Sequence, residues 1–387
     1  MAVRGFPWGY LAFSQTDAPA LRLAPYGGEI LVSAVVVLIG AALAASWRQV
    51  FTEPRLSAVV AGAGAVALTL GPGLLSVPVG QETGRLRVGA VQGDVPAAGA
   101  HWAEQARQVT ANHARGTERL LTSAGAASLD VILWPESAAD IDPRVDPAQA
   151  ALVDAAASAA GAPVLLGTQR FPDGQDVRFN EMVVWQAGHG ARSAYAKQHP
   201  VPFGEYVPYR RFFRQLTPLV DRIATDMVAG TAPAVTTIPI ERLARSVPVV
   251  TGICFEVAYA DIIREGVRRG GELIVIPTNN ASFGRSQEST QQLAMSRFRA
   301  AEHARATIQI STVGVSAVIT PDGQVVERTE LFTADEIVAT LPLRTTLTPA
   351  ARLGASPELG VYVLAAAAVT AGVLRRPCPT RRPSSSS

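Results

Sequence analysis

The sequence predicts a layered α/β domain held between apolar segments long enough to cross a bilayer. Three observations predict it. From about Arg85, short runs rich in Val, Ile and Leu alternate with longer runs of helical spacing, as in sheets whose strands are joined through helices. Uncharged apolar stretches stand before and after that region. Charged residues are only 17% of the 387, below the roughly 25% usual for soluble domains. The expected division is 1–81 as an N-terminal membrane region, 82–350 as the α/β domain, and 351–387 as a C-terminal span with a basic, disordered tail.

Taken in order, Ile30 to Trp47 is 18 residues without a charge, and Leu56 to Gln81 is a second uncharged run broken late by Gly71-Pro72-Gly73. Both suit a spanning helix, which needs about 20 apolar residues. A signal peptide is not expected, because a long segment precedes the first run and no basic stretch abuts it. Next, RLRVGAVQGD (85–94) reads as a strand, Glu104 to Leu121 as a helix, LDVILWPES (129–137) as a buried strand with a polar end, and Pro147 to Ala160 as a helix. APVLLGTQR (162–170) and NEMVVWQAG (180–188) read as strands. A Pro- and aromatic-rich loop then runs from Pro200 to about Pro233. VPVVTGICFE (247–256) reads as a strand, Ala258 to Arg269 as a helix, ELIVIPTNN (272–280) as a strand and Gln287 to Ala304 as a helix. TIQISTVGVSAVITPDGQVV (307–326) reads as a hairpin pair turning at Pro321-Asp322-Gly323. A third apolar run, Leu359 to Leu374, extends to a span of about 358–375. No internal repeat is visible.

Arginine placement sets the expected orientation. Arg48 and Arg55 lie in the link between the first two runs, and Arg375, Arg376, Arg381 and Arg382 follow the third. Both sets are cytoplasmic only if the large middle segment faces the other side.

A net charge of +2 gives no electrostatic footprint for nucleic acid. The two cysteines, Cys254 and Cys378, have neither zinc-ligand nor disulfide-framework spacing, and none of the five histidines sits in an HExxH context. No metal and no cofactor is expected. Of the 34 basic residues, 33 are arginine and Lys197 is the one lysine. In α/β sheets chemistry gathers where strands end, and three such places carry unusual residues. Glu136 follows the apolar run 131–134, Lys197 opens KQHPVPFGEYVP, and Cys254 closes VPVVTGI. Singly, a strand-end glutamate also reads as a capping acceptor and a lone cysteine as a small core side chain.

Together, Glu136, Lys197 and Cys254 resemble the catalytic triad of the nitrilase, or carbon–nitrogen hydrolase, superfamily, over about residues 85–345. GFPWGYLAFSQ near the N-terminus resembles the N-terminal motif of the apolipoprotein N-acyltransferases, as do VQGDVP, WPES, PVPFGEYVP, ICFE, TNNASFG and RAAEHAR. That resemblance implies an αββα sandwich flanked by transmembrane helices, in a multi-pass protein of the plasma or inner membrane. It implies transfer of a fatty acyl chain from a phospholipid donor to the α-amine of the diacylglyceryl-cysteine of an apolipoprotein. Glu136 would be general base, Cys254 nucleophile, and Lys197 the cation facing the oxyanion, where a compact ammonium suits a single oxygen better than a planar guanidinium. Glu205 matches a further family glutamate, assigned to hold Lys197 and the substrate amine. Glu256, Asn180 and Trp102 also match family positions, the last two near the acyl pocket or the loop of the site.

The aromatic loop around Phe203, Tyr206, Phe212 and Phe213 would admit acyl chains from the side, or equally anchor the chain at the membrane interface. Departures touch the pocket, with Phe255 where many members have tyrosine and Asn280 and Ser282 where aspartate and tryptophan are frequent. Members usually carry several more spans before GFPW, so either the true start lies upstream or the chain is a natural short form. Two other readings are a membrane-tethered amidase that uses water as acceptor, and a truncated homologue without turnover.

Overall fold

In the computed structural model, residues 6–52, 55–78, 80–96, 102–124 and 128–374 are described. Gly5 of the GFPW motif, Arg375, Arg376, Cys378, Arg381 and Arg382 lie outside them.

The chain enters through three short 3-10 turns, Pro7–Gly9, Leu11–Gln15 and Pro19–Leu23, into α1 (Ala24–Thr52), broken at Gly27 and Gly28, and then α2 (Arg55–Leu70). α2 stops at Gly71-Pro72-Gly73, where proline removes a donor and glycine costs helix. Segments Pro19–Arg48 and Leu56–Leu74 are long and apolar enough to cross a membrane.

Six further elements build the first half of the middle region: β1 (Glu82–Gln92), α3 (Trp102–Ala124), β2 (Val131–Leu133), α4 (Pro147–Ala160), β3 (Val164–Arg170) and β4 (Val177–Gln186). β5 (Gly190–Ala196) follows; then come α5 (Arg210–Leu216), a 3-10 turn at Pro218–Arg222, and the two-residue β6 (Asp226–Met227). The second half holds β7 (Val235–Ile240), β8 (Arg245–Thr251), a 3-10 turn at Cys254–Ala258, α6 (Ala260–Arg268), β9 (Leu273–Thr278) and α7 (Glu288–His303). β10 (Thr307–Ser311), β11 (Ala317–Ile319), β12 (Val325–Arg328), β13 (Asp335–Arg344), α8 (Pro349–Leu353) and α9 (Ser356–Leu374) complete it.

The strands make two sheets, ordered β13-β1-β2-β3-β4-β5, with β6 beside β4, and β12-β11-β10-β9-β8-β7. Central strands such as β2 and β9 are buried along their whole length, the continuous apolar reading expected of parallel strands covered on both faces. One core lies between the sheets, where Leu86, Val88, Leu165 and Val184 meet Ile238, Val249, Ile274 and Ile308. A second, with Leu120, Ile132, Trp134, Val153 and Leu166, seals α3 and α4 onto the first sheet. α6 and α7 cover the second sheet, giving an αββα sandwich.

Local signals explain the boundaries. Asp146 caps α4 by accepting from the amides of Ala148 and Gln149, Pro147 opens it, and Gly161 closes it in the left-handed region at φ 58°. Strands β5, β7 and β13 were not expected from the sequence pattern. The 247–256 run ends as a strand at Thr251, and the residues from Cys254 onward form a turn instead. The Pro200–Pro233 stretch is not wholly irregular, since it holds α5, the following turn and β6. The third apolar run is helical, with Ser356–Gly372 apolar but shorter than the other two.

Candidate functional site

Glu136 stands on the turn after β2. Its neighbour strand β3 passes so close that a Cβ at Gly167 would lie 2.6 Å from the Glu136 Cα and from the Pro135 oxygen, so glycine is needed there. The Glu136 carboxylate accepts three hydrogen bonds: Oε1 accepts from Asn180 Nδ2 at 2.6 Å and from Lys197 Nζ at 3.3 Å, and Oε2 accepts from the Asn279 amide at 2.6 Å. Asn280, in contrast, turns toward Ser289 rather than to the carboxylate.

Lys197 follows β5, fixed by its own amide donating to the Asn180 carbonyl at 2.9 Å and its carbonyl accepting from Gly230 at 2.7 Å. Its ammonium is 1% exposed and also donates to Glu205 Oε1 at 2.7 Å. Glu205 in turn accepts from the Val201 amide at 2.7 Å, which folds the loop back over the lysine. Burial alone would push the Lys197 pKa down, but the carboxylates of Glu136 and Glu205 outweigh it and hold it above lysine's ordinary value.

Cys254 opens the turn after β8 with φ +53°, a left-handed conformation that a non-glycine residue rarely adopts. Such strain at a strand-to-turn junction thrusts the side chain out of the strand's alternation. Its Sγ lies 3.6 Å from Gln292 Nε2 of α7. Burial pushes the thiol above the usual cysteine range, and the Glu136 charge adds to this; Lys197 and the Gln292 amide oppose without cancelling it. At rest the sulfur therefore holds its proton.

Glu136, Lys197, Glu205, Asn180, Cys254 and Phe255 line one cavity of about 570 Å³. Glu256 does not. It is fully buried behind the site, accepting from the amides of Ile253 (2.8 Å), Gln198 (2.6 Å) and His199 (3.1 Å) and from the Tyr195 hydroxyl (2.9 Å). It thus ties the residues after Lys197 to the residue before Cys254. Burial pushes it up to about 7, against the pull of Lys197 and the three amides. Trp102 is 56% exposed at the start of α3 and is not among the residues around the cavity.

Sequence reasoning gave no role to four contributors. Phe6 and Trp8 of the GFPW segment stack on Phe255 at ring-centroid distances of 4.6 and 5.4 Å and wall the cavity. Trp8 is pinned by donating from Nε1 to Gln291 Oε1 at 2.6 Å. Gln292 reaches the thiol. Asp140, four residues after Glu136, lines the cavity with its Oδ1 buried and without a hydrogen-bond partner; burial pushes it up to about 6. The spacing of an aromatic pair before the first apolar run was the available signal for Phe6 and Trp8.

The sequence profile described as carbon-nitrogen hydrolase matches residues 87–348, the αββα region and all of the cavity residues outside the GFPW segment. The profile described as apolipoprotein N-acyltransferase N-terminal domain matches residues 1–42. An apolipoprotein N-acyltransferase of Mycolicibacterium smegmatis is 36% identical over 380 residues, covering 92% of this chain and 62% of that protein. One of Azotobacter vinelandii is 32% identical over 372 residues, covering 93% of this chain and 68% of its own length. The chain thus spans about two thirds of the curated relatives it matches. A solved amidase from Nesterenkonia sp. is 14% identical, covers 72% of this chain and 96% of its own, and superposes with a TM-score of 0.48. With a carbon–nitrogen hydrolase domain and the N-terminal domain of the acyltransferases on one chain, the protein belongs to the apolipoprotein N-acyltransferase family.

Proposed function

We propose that the chain is a membrane-bound N-acyltransferase that moves a fatty acyl group from a phospholipid to the α-amine of a diacylglyceryl-cysteine at a lipoprotein N-terminus. The observation that carries this reading is the strained Cys254 turn opening into a cavity that also holds the buried Glu136–Lys197 pair and the half-buried Glu205. Glu136, Lys197 and Cys254 act as the catalytic triad.

In the first half-reaction Glu136 accepts the Cys254 proton, and the sulfur attacks the ester carbonyl carbon of the donor. The oxyanion is met by the Lys197 ammonium and by backbone N–H groups of the Cys254–Ala258 turn. Collapse breaks the carbon–oxygen bond, Glu136 returns the proton to the departing lysophospholipid oxygen, and a thioester remains on Sγ. In the second half the acceptor amine, as free base, attacks the thioester carbonyl. The carbon–sulfur bond breaks, the amine proton passes through Glu136 to the sulfur, and an amide is released. Glu205 holds Lys197 in place throughout. Phe6, Trp8 and Phe255 give the acyl chain an apolar wall. Residues 1–81 and the segment from 351 anchor the 82–350 domain on the extracytoplasmic side of the cell membrane, with Arg48 and Arg55 on the cytoplasmic side.

Incubation with a fluorescent phospholipid and a diacylated lipopeptide tests the reading. Triacylated peptide and an acyl adduct on Cys254, both absent in Cys254→Ala, are expected. Free fatty acid without amide product would sink the transferase reading in favour of a hydrolase, and no adduct with any phospholipid would sink the enzyme reading.

A further inference from the structure

α7 grips the Cys254 turn at both ends. Gln292 Nε2 lies 3.6 Å from the sulfur, and two turns on, on the same helix face, the Arg299 guanidinium donates from Nε to the Val257 carbonyl and from Nη2 to the Ala258 carbonyl, both at 2.9 Å. Those two carbonyls close the turn that begins at Cys254. Arg299 is fully buried, and its remaining nitrogen, Nη1, is shared between Glu302 Oε2 at 2.6 Å and Glu29 Oε2.

Glu29 does not belong to the hydrolase domain. It is the first residue of α1 beyond the Gly27–Gly28 break, at the mouth of the first apolar segment, and it is buried. The break is what lets it arrive there. Gly28 has φ +62°, and a Cβ on it would stand 2.6 Å from Glu302 Oε1, so the chain can pass against the ion pair only at a glycine. A guanidinium fork holding two carbonyls is directional, and the carboxylates on its other edge set its plane.

We infer that Glu29 and Arg299 are positioning residues through which seating of the first membrane helix fixes the Cys254 turn in its reactive conformation. Acyl transfer then depends on the N-terminal segment being docked, beyond the anchoring it gives. The inference rests on Cys254 being the nucleophile.

The full chain in nanodiscs, with Cys378→Ser so that Cys254 is the single thiol, provides the test. Glu29→Gln keeps shape and removes the charge. Arg299→Lys keeps a charge between Glu29 and Glu302 but loses the fork to the two carbonyls, and it carries the same test should Glu29→Gln not be recovered folded. Per folded molecule, kcat should fall by about 10- to 100-fold with KM within twofold. Amide exchange over residues 253–259 should accelerate, while exchange in β3 stays as in the parent. A merely structural role would lower thermal stability and leave both readouts alone. Unchanged kcat per folded molecule, or unchanged exchange at 253–259, overturns the inference. If the parent itself makes no triacylated peptide, the acyltransferase reading falls, and the exchange measurement alone decides whether Glu29 holds the turn.

Discussion

Lys197→Arg keeps a positive charge at the centre of the cavity and changes only its shape and reach. At 3.3 Å from Glu136 Oε1, the ammonium gains about 5 kcal/mol of Coulomb attraction at an effective dielectric of 20, with a similar contribution from Glu205. Most of this survives in arginine, so the buried Glu136 and the half-buried Glu205 stay compensated. The side chain is 1% exposed, however, and sits between Glu136 and Glu205, so the extra heavy atoms of a guanidinium must displace a carboxylate or intrude on the cavity. Overpacking of that kind costs about 1–3 kcal/mol, or a fall in Tm of about 2–10 °C for a domain of this size.

The chemical cost is larger. In the proposed mechanism a planar group spread between Glu136 and Glu205 would move its charge away from the point where the ester oxygen becomes negative, and losing one oxyanion contact costs about 10²- to 10³-fold in rate. Intact-mass measurement of the Cys254 acyl adduct over time reads the first half-reaction directly. We expect thioester formation at least about 100-fold slower in Lys197→Arg, in protein that still melts cooperatively. A variant that keeps more than about a tenth of the parent rate would refute the claim that a point charge is needed here. Lys197→Met supplies the companion measurement. It strands Glu136 and Glu205 together without a cation and should lose about 3–5 kcal/mol of stability. Equal melting of the Met and Arg variants would mean the charge accounting is wrong.

Two further outcomes follow from the groups around the cavity. Glu256→Gln turns one acceptor oxygen into a donor facing amides, leaving at least one buried donor unpaired; chemical unfolding should show a loss of about 1–3 kcal/mol, and an unchanged midpoint would rule out its role as the tie behind the site. Asp140 keeps its proton to about pH 6 when folded but only to about 3.8 when free. Its contribution is therefore complete below pH 4 and lost as pH rises through 6, so Asp140→Asn should gain at pH 8 relative to pH 4, by at most about 3 kcal/mol over the parent; parallel stability curves for the two proteins would contradict this.

Glu136 and Cys254 were legible because each ends an apolar run with a group that chemistry can use, and Lys197 because a chain otherwise built on arginine retained one lysine. The edge strands were not. β5 is mostly small side chains around one arginine and one tyrosine, and β13 mixes two acids, a threonine and a proline with its apolar positions, so neither shows a clean period of two. Their assignment depends on partners far away in sequence, such as the β1–β13 pairing of Leu86 with Leu341. Gln292 and Arg299 were missed for a related reason. A helix bearing Glu, Gln, Arg and His looks solvent-facing until the N-terminal turns and α1 are laid over it, which buries nearly every residue from Leu293 to His303. Glu29 adjoins the uncharged run that begins at Ile30, and an acid in that place reads as a flank; its partner lies 270 residues on. Trp102, taken from the resemblance alone, ends on the surface.

The topology explains why the cavity lies where it does. Read from β13 to β5, successive strands of the first sheet pair antiparallel, parallel, parallel, antiparallel and antiparallel; read from β7 to β12, the second sheet follows the same sequence. The amino-acid sequence shows no repeat, since interior apolar residues can exchange freely while pairing order is kept. In the first sheet, two reversals from β3 through β4 to β5 restore the original direction, so β5 delivers Lys197 at the same edge where β2 delivers Glu136. In the second, β8 and β9 are parallel neighbours, so Cys254 and Asn279 leave from a common edge as well. The 2.6 Å hydrogen bond from the Asn279 amide to Glu136 joins those two edges. Glu136, Lys197 and Cys254 therefore come from two sheets, and neither sheet supplies all three. The remaining walls, Phe6 and Trp8, come from the segment that leads into the first apolar helix. A domain cut free at residue 82 would keep Glu136, Lys197 and Cys254 and lose both that apolar wall and the Glu29 partner of Arg299, so the first 81 residues contribute to the cavity and to the ion pair behind it.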